Sequence, residues 1–336
     1  MMRSLYKLAD EEIRFCISDY LELMEASSGL SNLRLEHIDS DRKRLIILAG
    51  LNVHNLDQTA DIAFDEWTRR QAIPFDVETA ITSGVYINIR GAGAEMLNFV
   101  EKETKGFSLF NAEFVHQNPA CLPLLQHLAG IFSKAALKKI VGSASDNSIS
   151  KPASERIAIL LKERVIAKNI NKGEILRRLD STLEGIVRDL VGRVMLESLV
   201  ESALKKKGIT FLREDQYPNL SGVIYDFRAD FVVPDNINPK AFIEVRKSSS
   251  RHASLYAKDK MFSAINWKGK HREMLAILIV DGEWTAETLR IMSNIFDYVV
   301  PIGRVNELAE TLESYVSGDK SKLKWLVDFK IEAATN

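Results

Sequence analysis

Residues 225–247 read Tyr-Asp-Phe-Arg-Ala-Asp-Phe-Val-Val-Pro-Asp-Asn-Ile-Asn-Pro-Lys-Ala-Phe-Ile-Glu-Val-Arg-Lys, and this stretch decides how the chain is read. Side-chain character alternates over 225–233, as in a half-buried strand. Phe227, Ala229, Phe231 and Val233 fall on one face; Asp226, Arg228 and Asp230 fall on the other. Asp235-Asn236 and Asn238-Pro239 supply turn chemistry. A second strand follows from Ala241 to Lys247, with Glu244 and Arg246 on one face and Ile243, Val245 and Lys247 on the other.

Asp230 and Glu244 are the chemical centre of this hairpin. Adjacent strands lie about 4.8 Å apart, so two carboxylates at matching height reach one cation. Without a cation they repel and one pKa rises. Hard divalent metals such as magnesium prefer such oxygen sites, completed by water and substrate phosphate. A basic run comes next, with Arg246, Lys247, Arg251, His252, Lys258, Lys260, Lys268, Lys270, His271 and Arg272. Paired acids backed by cations describe a site for cutting a phosphodiester. Taken alone, such an acid pair is more often a solvated or ion-paired feature of a sheet face.

The stretch resembles the PD-(D/E)XK nuclease superfamily, which includes many restriction endonucleases. Asp230 matches the acid of the first motif strand and Glu244 the acid of the second. The helix from Gly192 to Lys207 precedes them, and Glu197 stands where the family often keeps a helical glutamate. Leu275 to Val280, followed by Asp281-Gly282, resembles the later core strand. The resemblance covers about residues 190–305. It implies a restriction-endonuclease-like mixed sheet flanked by helices, within an α/β protein. It also implies a magnesium-dependent DNA endonuclease of the type II restriction kind, with manganese able to substitute. Asp230, Glu244 and the Val245 carbonyl would hold the metal, and Glu197, Arg246 and Lys247 would complete the catalytic set. Arg251, His252, Lys258, Lys260, Lys268 and Lys270 are the expected DNA contacts. The implied partner is double-stranded DNA, cut by a homodimer.

One departure matters. Glu244-Val245-Arg246 places arginine where the family usually has lysine. Arginine holds phosphate well but cannot act as a base near neutral pH. Arg246 can fill the slot electrostatically, a bulge can rotate Lys247 inward, or Lys258 or Lys260 can reach in from the next helix. The alternative is a degenerate nuclease fold that binds DNA or regulates without cutting.

Upstream, the pattern predicts a mixed α/β domain over 1–141. Helices are expected at Asp10–Ala26, Thr59–Gln71 and Cys121–Lys139. A hairpin is expected from Leu33–His37 and Arg44–Leu48, and strands at Val85–Ile89 and Phe107–Phe114. Arg90-Gly91-Ala92-Gly93 reads as a strand-to-helix turn, since the full dinucleotide fingerprint is missing. Arg42-Lys43-Arg44 and Arg69-Arg70 are candidate phosphate contacts, with an ordinary solvated surface the more probable reading of each. This domain would read DNA or dimerise. Small polar residues between Gly142 and Pro152 mark a linker over 142–153, and the nuclease-like domain with its leading helices spans 154–336. The helical pattern from Lys172 to Lys207 is too long to be unbroken, and a break is expected near Asp180, Gly185 or Gly192. Trp325 and Phe329 are expected to anchor the tail.

The 336 residues suffice for two cores. No apolar run reaches the roughly 18 residues of a membrane span, and the start has no signal-peptide core. Cys16 and Cys121 are the only cysteines, which excludes a disulfide framework or cysteine zinc site. A cytoplasmic protein is expected. Net charge is −1, which argues against a nonspecific polycation. The charge is uneven: residues 1–150 hold 15 Lys/Arg against 20 Asp/Glu, and the remainder holds 30 against 26. The positive excess lies with the proposed site, as phosphate binding would require.

Overall fold

The computed structural model of the chain describes residues 2–70, 75–165, 170–248 and 253–329. Packing divides the chain into two units, Met1–Val191 and Gly192–Asn336. The chain is α/β overall, but its strands are concentrated in the second unit.

In the first unit the helices are α1 (Leu5–Ala26), α2 (Asp41–Gly50), α3 (Ala60–Arg70), α4 (Val77–Glu103), α5 (Ala112–Gln117), α6 (Leu122–Leu128), α7 (Lys134–Val141), α8 (Lys151–Val165) and α9 (Lys172–Leu190). The long α4 packs against α1, α2 and α9. On α9, Ile175, Leu179, Leu183, Val187 and Leu190 are buried, the stripe expected of a helix lying on a core.

The expected mixed α/β character of this unit is corrected. Among its described residues the only β pairing is an isolated bridge, Ala144 to Ile149. The hairpin over 33–48 is a short 3₁₀ turn, Leu35–His37, and then α2. Asp39-Ser40-Asp41 is a helix start rather than a turn, with Ser40 accepting from the Lys43 amide. Val85–Ile89 alternates locally, but Ile81, Val85, Ile89, Met96 and Val100 are buried at helical spacing, and the longer period prevails. Gly91-Ala92-Gly93 therefore lies inside α4 rather than in a turn, and Gly93 faces Leu179 of α9. In place of the strand at Phe107–Phe114, Asn111 caps α5. The helix expected over 121–139 is broken at Gly130, which has positive φ. The expected linker 142–153 lies inside this unit, with Ile149 buried and Arg156 donating to the Val141 carbonyl.

The proposed phosphate contacts here are engaged internally. Arg42 pairs with Glu12 and Asp19, Lys43 with Asp39 and Glu22, and Arg69 and Arg70 with Glu66. Arg44 donates to the Leu56 and Gln58 carbonyls.

After α9, a single π-helical turn, Val191–Met195, contains Gly192, one of the three expected break points, and leads into α10 (Leu196–Lys206). The second unit continues with β1 (Leu212–Arg213), β2 (Phe231–Val233), β3 (Ala241–Ser248), α11 (Ala253–Lys270), β4 (Leu275–Gly282), α12 (Ala286–Met292), β5 (Tyr298–Pro301) and α13 (Val305–Val316). The sheet order is β1-β2-β3-β4-β5. β1–β2 and β2–β3 are antiparallel; β3–β4 and β4–β5 are parallel. α11 is the crossover that the parallel β3–β4 pair requires.

β3 and β4 pair along their whole lengths, from Ala241 with Leu275 to Ser248 with Gly282. At Gly282 a Cβ would meet the Ser248 carbonyl oxygen at 2.4 Å, so this end of the pair requires glycine. One sheet face presents Val232, Phe242, Ala276, Leu278 and Val280 to Trp267, Met292 and Phe296. Trp267 is fully buried, with ring centroids 4.4 Å from Phe242 and 5.1 Å from Phe227. Such aromatic pairs add about 0.5–1.5 kcal/mol each beyond burial.

The strand expected over 225–233 survives only at 231–233. Ala229 packs with Val232 and Phe242, whereas Phe231 packs against Phe211 and Arg213. The cause is Tyr217. Its hydroxyl donates to the Ala229 carbonyl at 2.9 Å and accepts from the Ala229 amide at 2.6 Å, replacing the ladder there. The tail is held by Asp297, which accepts from the Val327 amide, and by Arg272 pairing with Asp328. Trp325 is exposed and does not anchor it.

Candidate functional site

Phe231 pairs with Ile243, so extending the register by one residue sets Asp230 opposite Glu244. Asp230 sits just before β2, where the ladder ends. Its Oδ2 accepts from the Val245 amide at 2.7 Å, which satisfies a donor the short strand leaves open. Both carboxylates are buried, Glu244 to 1 % exposure.

Two cations meet them. Arg246 spans the pair, with Nη1 2.8 Å from Asp230 Oδ2 and Nη2 3.0 Å from Glu244 Oε2. The second is Lys260, projected from α11 onto the same sheet face, with Nζ 2.9 Å from Glu244 Oε2. Lys260 is itself buried and lies over the Phe227 ring at 5.8 Å. Burial, and then the Asp230 charge, push the Glu244 carboxyl up to about 8, while Lys260 and Arg246 pull the other way. Burial would lower Arg246, but Asp230 and Glu244 outweigh it and hold the guanidinium above its ordinary value.

Glu244 Oε1 is buried and has no hydrogen-bond partner among the described residues. A buried carboxylate oxygen left open costs about 1–3 kcal/mol or more. Asp230, Glu244 and the Val245 carbonyl, the expected metal ligands, offer oxygen atoms of the kind magnesium or manganese takes, and Arg246 contacts all three. The set supplies only two acids. Among the described residues no three His, Cys, Asp or Glu side chains are grouped to hold a metal. Water and substrate phosphate would complete the shell, the usual arrangement for magnesium.

The other expected site residues fall as follows. Glu197, on α10, accepts from Arg213 at 2.7 Å, and its charge reaches Arg246. Lys247 pairs with Asp281 at 3.9 Å rather than with Glu244. β3 keeps a regular register through Lys247, so no bulge turns that lysine inward. Lys258 and Lys270 are exposed on α11. Arg251 and His252 lie outside the described residues. Lys268 is corrected: it is fully buried, with Nζ 2.6 Å from Asp297 Oδ2, and cannot contact DNA. Burial lowers its pKa against the pull of Asp297.

Two positioning residues were missed from sequence, Tyr217 and Asn266. Each is a buried polar side chain hydrogen-bonded to distant backbone. A polar residue among Ala264, Ile265 and Trp267 is a weak signal, and nothing local specifies its partner. Compared with protein-family models, with curated proteins and with solved structures, the chain matches none.

Proposed function

We propose that the chain is a metal-dependent nuclease that hydrolyses DNA phosphodiester bonds, with its chemistry in the second unit. The observation that carries this reading is the convergence of Asp230, Glu244 and Lys260, with the buried Glu244 Oε1 left without a partner among the described residues. The order α10, antiparallel β1-β2-β3, α11, parallel β4 supports it, being the order the nuclease resemblance implies.

Asp230, Glu244 and the Val245 carbonyl would hold magnesium or manganese, which supplies Lewis-acid charge and a bound water of lowered pKa. Lys260 takes the place of the missing motif lysine, reaching from the helix instead of the strand. Its ammonium beside Glu244 is placed to stabilise charge developing on phosphate oxygens. Arg246 is placed to exchange carboxylate for phosphate when substrate arrives, since its planar fork suits both. Cutting both strands of a duplex needs two such sites, so a homodimer is expected.

Plasmid and synthetic duplex DNA incubated with magnesium or manganese test the reading. Wild type should cut, and Asp230→Ala and Lys260→Ala should not. Cutting by all three proteins alike, or by none while wild type is folded and takes up no metal, sinks it.

A second reading rests on Arg246. Its guanidinium already neutralises both acids, as in a nuclease-like scaffold that binds DNA without cutting it. Manganese uptake in the presence of DNA separates the two.

A further inference from the structure

Residues 220–227 form a small hairpin beside the site. Leu220 and Phe227 exchange backbone hydrogen bonds of 2.6 and 2.9 Å. The fully buried Asn266 of α11 holds the loop. Its Oδ1 accepts from the Ile224 amide at 2.8 Å, its Nδ2 donates to the Tyr225 carbonyl at 2.8 Å, and its own carbonyl accepts from Val223. A Cβ at Gly222 would lie 2.2 Å from Asn266 Nδ2, so this close approach requires glycine. His271 adds a hydrogen bond to the Ser221 carbonyl.

What this framework fixes is apolar and faces water. Ile224 is 64 % exposed, Val223 42 % and Phe262 49 %. Tyr225 and Phe262 stack at 5.7 Å with their planes 17° apart. An edge-on ring contact then leads toward the candidate site. Tyr225 meets Phe227 at 5.3 Å, and Lys260 lies over Phe227. Lys258 is exposed on α11 one turn before Phe262, on the same helix face. An aromatic pair held rigid beside an exposed cation, one ring from the Lys260 ammonium, matches the chemistry of a nucleotide: a flat apolar base and a phosphate.

We infer that Tyr225 and Phe262 form a stacking platform for a nucleobase, with the Val223-Ile224 apex as a wedge. The preferred substrate is then DNA with unpaired bases beside the scissile phosphate. The inference rests on the nuclease reading and narrows its substrate. Apolar wedges unstack base steps in this way, and stacking on an aromatic side chain tolerates any base.

The test compares binding of an intact duplex with the same duplex carrying a short single-stranded gap. Calcium replaces magnesium, so that binding is read apart from cutting, and 2-aminopurine in the gap reports stacking. Wild type should bind the gapped DNA at least about tenfold more tightly. Phe262→Ala and Tyr225→Ala should lose the preference. Tyr225→Phe should keep it, which separates loss of the ring from loss of the fold. Equal binding of both DNAs by wild type overturns the platform, while plasmid cutting still supports the nuclease. No binding of any DNA, with no cutting, overturns both. A dimer that becomes monomeric in Ile224→Ser and Phe262→Ala, with DNA preference unchanged, makes the patch a self-association face and overturns the platform alone.

Discussion

The Lys260 ammonium lies 2.9 Å from Glu244 Oε2, both groups buried, one on the crossover helix and the other on the central strand. The usual motif lysine sits two residues after the acid on the same strand, where this chain has Arg246. In the nuclease reading proposed above, the helix supplies the ammonium instead.

Lys260→Met should abolish cleavage while leaving the fold intact. Breaking a buried pair costs about 3–5 kcal/mol when the remaining charge is stranded. Glu244, already raised to about 8, can escape by protonation. We therefore expect a loss of only about 1–3 kcal/mol at pH 7, the cost of a lost partner for a buried polar group. Urea unfolding measures it. A loss above about 5 kcal/mol would show that Glu244 stays ionised.

Arg246 occupies the space between the two acids. Removing it should take a competing cation from both carboxylates and leave Lys260 on Glu244. Arg246→Ala should bind manganese more tightly than wild type without DNA, by about fivefold, the upper range for a part-exposed charge pair. Isothermal titration decides it. Unchanged affinity would mean that the guanidinium does not compete for the site.

The strands of the second unit were largely legible because their signals are local. Leu275–Val280 is a continuous apolar run bounded by Asp281-Gly282, and it is β4. The Asp230–Glu244 juxtaposition was legible from the hairpin register. Ser40 was harder: an Asp-Ser-Asp cluster marks a turn or a helix cap equally well, and only packing of α2 against α4 separates them. Lys260 and Lys268 differ least in sequence and most in fate. Both lie in one basic run, yet one turns to Glu244 and the other is sealed on Asp297. That depends on the face each takes on α11, and charge alone does not encode it.

Two buried groups titrate with opposite effect on stability. Burial, and then Arg178, hold His127 below its ordinary 6.5, and Nε2 lies 2.9 Å from Thr182 Oγ1. The unfolded chain takes the proton first. Its contribution is therefore full above pH 6.5 and is lost as pH falls through the folded pKa. Glu244 behaves the other way. Its folded pKa is about 8 against an ordinary 4.5, so its contribution is full below 4.5 and is lost as pH rises through 8. Melting temperatures across this range should show a flatter acid limb in His127→Gln and a flatter alkaline limb in Glu244→Gln. The same limb flattening in both variants would contradict the assignment.

The basic run should divide by burial in its effect on DNA affinity. Lys258 and Lys270 are exposed on α11, and each neutralised phosphate releases counterions. Lys258→Ala and Lys270→Ala should each reduce the slope of log affinity against log salt by about 1, whatever the DNA sequence. Lys268 is fully buried against Asp297, which also accepts from the Ala276 amide of β4. Lys268→Met should leave the slope unchanged. Asp297→Ala should cost about 3–5 kcal/mol of stability, because it strands a buried ammonium and an unsatisfied strand amide together. Fluorescence anisotropy across a salt series, with urea unfolding beside it, reads both effects. A reduced slope in Lys268→Met at unchanged stability would mean that this lysine leaves Asp297 to meet DNA, and the division by burial would fail.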